Sequence, residues 1–348
     1  MFTSSVRSTL LALAASAAVV NAAQGISLKV SAPETVDGVE NLKITTTMTN
    51  TGDETLKLLH DPLGPLSQMP ANTFTITGGD KNTSPSFHGI KAKWVPSYAA
   101  AQKAYTTLAP GESVNVDHDL FSTYDFTDAG EGAYSFAAHN LFYAVDDSDQ
   151  ITTLAADSEG CTSHVSGKLS AAGAAQVGRR ATFNGCSDSQ QSDIDSAIPA
   201  AQSYASEAKS YISSHTSATS RYTTWFGTYT DARHNTTESL LSHINGNNMT
   251  SFTYDCTCAK GDVFAYVYPD NFGHIYLCGA FWRAPNTGTD SKGGTLVHEA
   301  AHFIVNGGAS DHVYGQDGCK SLATSDPDRA VDNAESYEYF VENNPPLS

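Results

Sequence analysis

From about residue 24 to residue 168 the chain alternates. Ile26, Leu28 and Val30 are separated by polar residues, and Leu42, Ile44, Thr46 and Met48 follow the same period. Phe74 and Ile76 continue it before Gly78-Gly79, and Val114, Val116 and His118 after Pro110-Gly111. A period of two, broken by Asn50-Thr51-Gly52-Asp53, Gly78-Gly79-Asp80 and Pro110-Gly111-Glu112, predicts an antiparallel β-sandwich-like module. No charged or metal-binding cluster stands out in it. It reads as a folded module without chemistry of its own.

The pattern then changes. Residues 166–178 are small and polar, a linker composition. They run into Arg179-Arg180, a basic pair in a region otherwise poor in basic residues. In an exposed linker of a secretory protein this pair reads as a processing site for a furin- or kexin-type protease. Processing makes residues 23–180 a propeptide and 181–348 the mature protein.

The second half reads mainly as helix with a short sheet, an α+β pattern. Ile194, Ala197, Ala201, Tyr204, Ala208 and Ile212 recur at three- and four-residue spacings, with Pro199 starting or kinking that helix. A second helical stretch covers 221–244. Strands at 263–268 and 274–277 form a hairpin through Pro269-Asp270-Asn271-Phe272-Gly273. A third helix runs from about Thr295 to Val305 and stops at Asn306-Gly307-Gly308. A last helix starts at Ala330 or Asn333 and ends at Val341, before Pro345-Pro346.

The N-terminus sets the compartment. Arg7 precedes a short apolar run from Leu10 to Val20, and Val20-Asn21-Ala22 is a small-x-small site, so residues 1–22 read as a secretory signal peptide. No later stretch reaches the roughly 18 apolar residues of a membrane span. Sequons at Asn82, Asn235 and Asn248 fit an extracellular glycoprotein. The formal charge of −18 lacks the electrostatic footprint of a nucleic-acid binder and argues against a polybasic membrane anchor.

The chemistry sits in the third helix, at His298-Glu299-Ala300-Ala301-His302. Positions i and i+4 share a helical face, so both imidazoles can reach one zinc ion. Glu299 is placed to accept a proton from a metal-bound water. A catalytic zinc needs a third protein ligand. Asp311, His312 and Glu335 are the candidates. Gly307-Gly308 lets the chain turn back after the helix, and Asp311 follows at once.

His298-Glu299-x-x-His302 followed by Gly308-x-x-Asp311-x-x-Tyr314-Gly315 resembles the deuterolysin, or aspzincin, family of fungal zinc metalloendopeptidases. Ala309 replaces the threonine of the family pattern. The layout of the whole chain is similar, and 182–348 resembles the peptidyl-Lys branch most. The resemblance implies one zinc per chain, held by His298, His302 and Asp311. It makes Glu299 the general base and then proton donor, and Tyr314 the donor to the oxyanion. It places Glu335 and Glu338, three residues apart, in a pocket for lysine on the amino side of which the peptide is cut. It implies disulfides Cys186–Cys256 and Cys258–Cys278. The hairpin edge that the second bridge pins would receive extended substrate.

Cys161 and Cys319 lack such counterparts. They suggest a bridge tethering the propeptide over the site, a Cys161 thiolate on the zinc, or two free thiols. The propeptide is expected to inhibit the enzyme or assist its folding. Protein or peptide substrates are the expected partners. The alternatives are a deuterolysin-like protease of broader specificity and a secreted zinc-binding protein without turnover. Glu299 argues against the last, since metal binding alone does not need it.

Overall fold

The computed structural model describes residues 25–81, 83–170 and 182–348. The expected signal peptide (1–22), Asn82, and Arg179-Arg180 lie outside these residues.

Alternation in the first half becomes strands. Ile26–Ser31 buries Ile26, Leu28 and Val30, and Gly132–Ala138 alternates in the same way along its whole length. One sheet is ordered Asp157–Glu159, Ile26–Ser31, Lys43–Asn50, Ser113–Asp119. A second is ordered Thr35–Asp37, Cys161–Ser166, Gly132–Ala138, Phe74–Gly78. Their inner faces share one apolar core, as a sandwich requires. A third sheet is ordered Ile151–Ala155, Leu141–Val145, Leu56–Leu59, Tyr105–Leu108. The expected antiparallel pairing fails at two edges. Asp157–Glu159 on Ile26–Ser31, and Thr35–Asp37 on Cys161–Ser166, are parallel. Each of these pairs is far apart in sequence, so no hairpin imposes direction.

The second half packs helices around a separate core. The first helix, Asp188–Ser214, opens with a capping box made by Ser187 and Gln190 and passes through Pro199 without ending. Pro199 and Asp195 both face solvent, so the carbonyl that loses its helical donor can be hydrated. The expected helix over 221–244 is two helices, Ser220–Phe226 and Asp231–Asn245. The break is Gly227, whose φ of 74° ends the first of them. The hairpin is Val263–Val267 with His274–Leu277. The last helix is Ala334–Glu342. Among the described residues no helix is long and apolar enough to cross a membrane.

One pairing joins the halves. The C-terminal sheet is ordered Thr182–Asn184, Thr253–Asp255, His274–Leu277, Val263–Val267, and then Lys91–Trp94 from the first half. Lys91–Trp94 lies antiparallel on Val263–Val267, the outermost strand that the second half contributes. A small core also spans both halves, with Leu59, Trp94 and Val145 against Val263, Cys278 and Tyr314.

Disulfides Cys186–Cys256 and Cys258–Cys278 are formed. Cys161 and Cys319 are free thiols, so the tethering bridge is not made. Cys161 is committed to the sandwich, where it pairs with Phe136, and Cys319 is buried in the other core. Cys258–Cys278 closes a loop of 20 residues around Val263–Val267. Loop closure of that length is worth about 3 kcal/mol. Replacing both cysteines with serine should lower the unfolding free energy by about this amount in urea titrations. An unchanged midpoint would show that the bridge does not hold that strand.

Candidate active site

The helix that carries the motif is Lys292–His302, and all eleven of its residues are buried. It starts three residues earlier than its apolar pattern suggests. Ser291 caps it, its Oγ accepting from the Gly294 amide at 2.9 Å. Gly293 and Gly294 hide this first turn from a propensity reading, yet both are needed. A Cβ on Gly293 would stand 3.0 Å from the Cβ of Ala200, and one on Gly294 would meet the Glu342 carboxylate. Two helices therefore approach the motif helix more closely than side chains would permit.

The helix ends at His302, and Gly307 and Gly308 turn the chain back with φ of 140° and 71°. The returning segment is fastened by backbone bonds from Ala309 N to Ala301 O at 3.0 Å and from Ala334 N to Ser310 O at 2.9 Å. Asn333 holds the next stretch, its Oδ1 accepting from the His312 amide. These bonds put Asp311 between the two imidazoles. Its Oδ1 is 3.3 Å from His298 Nε2 and 3.3 Å from His302 Nε2. All three atoms are buried and make no hydrogen bond. Three convergent donors without a partner suit one metal ion.

The second nitrogen of His302 is held by a hydrogen bond, and that of His298 faces two carboxylates. His302 Nδ1 is 2.7 Å from the carbonyl of Ala309, which fixes Nδ1 as the donor and leaves Nε2 as the ligand atom. His298 Nδ1 lies 3.2 Å from Glu335 and 3.1 Å from Glu338. Burial keeps the His302 imidazole neutral. Burial also opposes charge on His298, but Asp311, Glu335 and Glu338 outweigh it and raise its pKa well above the ordinary value. Burial likewise opposes the Asp311 carboxylate, and the two histidines overcome this and hold it ionised. The surroundings thus favour positive charge here.

His298, Glu335 and Glu338 form a second donor group. It lies on the other side of the ring and is taken by a different cation. Lys93, on the strand from the first half, is fully buried there. Its Nζ lies 2.9 Å from both Glu335 oxygens, 3.0 Å from Glu338 and 3.0 Å from Asp290. The same Nζ lies 5.5 Å from the ring centre of Phe264 and 5.2 Å from that of Tyr339. Burial opposes the ammonium, but the three carboxylates keep it protonated, with a pKa well above the usual value. Glu335 therefore faces Nδ1 of His298 and an ammonium. His312 turns away to pair with Asp332 at 2.8 Å.

Glu299 and Tyr314 meet the same strand. Glu299 Oε1 accepts from the Lys93 amide at 3.0 Å, and the Tyr314 hydroxyl donates to the Ala92 carbonyl at 3.1 Å. Glu299 is fully enclosed, and burial pushes its pKa up to about 8. A carboxyl poised in that range can take and return a proton near neutral pH.

Three participants escape a sequence reading. Asp290 supplies the third carboxylate from a loop, at a φ of 52° that few non-glycine residues adopt. The Tyr339 hydroxyl lies 2.8 Å from Asp290 Oδ1 and 2.9 Å from Glu335 Oε1, and its one proton is shared between the two carboxylates. Tyr339 could have been found, since it lies four residues after Glu335 on the same helix face. Lys93 carried no signal. The module read as free of chemistry supplies the ammonium in the pocket. The described sequons, Asn235 and Asn248, are both exposed.

A family model for the lysine-specific metallo-endopeptidases, the aspzincins, matches residues 211–342. A peptidyl-Lys metalloendopeptidase of Grifola frondosa is 53% identical over 346 residues, covering 98% of this chain and 99% of its own. One of Pleurotus ostreatus is 56% identical over 168 residues, which are 48% of this chain and all of that protein. A solved zinc peptidase from Grifola frondosa, 57% identical, covers 47% of this chain and 100% of its own, with a TM-score of 0.47. The likeness spans the whole length and takes in every element that builds the site, and the chain belongs to the aspzincin family of metalloendopeptidases.

Proposed function

We propose that this chain is secreted as a zymogen and that residues 181–348, released by cleavage after Arg180, form a zinc endopeptidase cutting on the amino side of lysine. The lysine preference rests on one observation above all. A pocket beside the motif helix presents three carboxylates, with Glu335 and Glu338 fully buried and Asp290 at its rim, and they already hold an ammonium. The names of the full-length relatives support the same preference. The Pleurotus ostreatus relative, matched over its whole length by under half of this chain, supports a catalytic unit of that size.

His298, His302 and Asp311 hold the zinc. Bound there, zinc supplies a water acidic enough to yield hydroxide near neutral pH and polarises the carbonyl. Glu299 takes a proton at its carboxylate and returns it to the nitrogen of the departing amine. Tyr314 donates a hydrogen bond to the carbonyl oxygen as negative charge grows on it. Val263–Val267 aligns the substrate backbone as an added strand. Glu335, Glu338 and Asp290 fix the lysine side chain that follows the cut. A guanidinium is broader than the ammonium they enclose, so arginine is excluded by shape.

A digest of an unbiased peptide library by the processed enzyme tests this reading. Cuts should fall before lysine, spare arginine, and vanish when zinc is chelated. Cuts spread over many residues would leave a protease of the broader deuterolysin type. Glu299→Gln should retain zinc, measured by elemental analysis, while kcat falls by at least about a hundredfold. Normal turnover in that variant would remove Glu299 from the proton path. Asp290→Asn takes away one charge-assisted bond to the ammonium, worth about 1.5–3 kcal/mol. It should lower kcat/KM for lysyl peptides about ten- to hundredfold at that energy. An unchanged ratio would place Asp290 outside the lysine pocket.

A further inference from the structure

The strand Lys91–Trp94 occupies the cleft in the manner of a substrate. It extends the sheet from Val263–Val267, with Ala92 opposite Tyr266 and Lys93 opposite Ala265. The Ala92–Lys93 peptide lies at the reacting position. Its carbonyl oxygen accepts from Tyr314, its amide donates to Glu299, and the side chain after it fills the carboxylate pocket. The Ala92 amide donates to Asp311 Oδ2 at 3.0 Å. Lys91 Nζ donates to the carbonyls of Gly308 and Ala309 at 2.8 Å each, fastening the strand to the loop that carries Asp311. The ring of Trp94, which ends the strand, packs against Tyr314, and beyond the strand Tyr98 packs against Phe264.

We infer that the first half of this chain is a lysine-anchored inhibitor of the second, with Lys91–Trp94 bound in substrate register and Lys93 in the place of the substrate lysine. The inference rests on the reading of 181–348 as a lysine-directed endopeptidase. It replaces both cysteine-based modes of inhibition, since Cys161 stays in the sandwich and the group that enters the site is an amine. It also implies that a cut in the 171–181 segment does not open the cleft. Among the described residues, the bonds that close it run through strand pairing, the Lys93 ion pairs and the ring contacts. The first half should remain bound after processing and keep the enzyme inactive until it is removed.

The test uses the full chain with Arg179→Ala and Arg180→Ala, stripped of metal so that nothing is cut. A short fluorescent peptide with one central lysine is titrated and its anisotropy followed. The unaltered strand should exclude the peptide, and Lys93→Met, a near-isostere without the charge, should admit it. An internal competitor lowers apparent affinity by the fraction of time it occupies the site, so the gain should be about tenfold or more. Equal affinity for both chains would overturn the inference. Hydrogen exchange on the chain without the Lys93 change gives an independent reading should Lys93→Met fail to fold. In the metal-free chain that keeps Arg179 and Arg180, amides of 92–94 and 263–267 should stay protected together before and after an added protease cuts the linker, and rapid exchange there would contradict the inference. Zinc-loaded Lys93→Met separates the two readings. Cutting before lysine alongside equal peptide affinities removes the inhibitor and keeps the peptidase. Tight peptide binding without cutting keeps the inhibitor and removes the peptidase.

Discussion

The structure depends on burying too many carboxylates in one place. Glu299, Asp311, Glu335, Glu338 and Glu342 all lie out of solvent around a single helix, and Asp290 adds another at the rim. Isolated buried anions are expensive, so each must find positive charge, donors or a proton. Glu342 takes the last route. Burial and the nearby Glu338 push its pKa up to about 9, and donors from Ser291 and Asp290 hold it. Asp311 relies on two imidazoles, and Glu335 and Glu338 on the ammonium of Lys93. The buried imidazoles and the buried ammonium are two ways of meeting that one demand for cations.

The two imidazole nitrogens of His298 divide the demand. Nε2 looks toward Asp311 and His302, and Nδ1 toward Glu335 and Glu338. One ring thereby links the His298–His302–Asp311 group to the carboxylates around Lys93. A cation among those carboxylates bears directly on the far nitrogen of His298, so the two groups are electrostatically joined. Close packing makes the coupling stiff. Gly293 and Gly294 let neighbouring helices press against the motif helix, and buried Arg221 bonds the Phe340 carbonyl to fix the last helix.

Much of this was legible in the sequence because the signals are local. The two histidines and Glu299 lie within one helical turn, and the glycine pair announces the reversal that returns Asp311. Spacing alone left Asp311, His312 and Glu335 open, because a choice among them needs the direction of each side chain. Glu335 and Glu338 were legible through family resemblance and helical spacing. Asp290 and Lys93 were not, since each reaches the pocket from a distant, unpatterned segment. The helix boundary at Ser291 was missed because glycines demanded by packing look like helix breakers. The first half was misread as lacking chemistry because a lysine in a strand has no local mark of what it will meet.

The metal-ligand group lies on the Nε2 side of His298 and an amine on the Nδ1 side. Zinc-edge anomalous diffraction from crystals of the full chain tests this division most directly. The account predicts one anomalous peak bound by His298, His302 and Asp311, with Lys93 still among Asp290, Glu335 and Glu338. A peak bound by His298, Glu335 and Glu338, with Lys93 displaced, would contradict it.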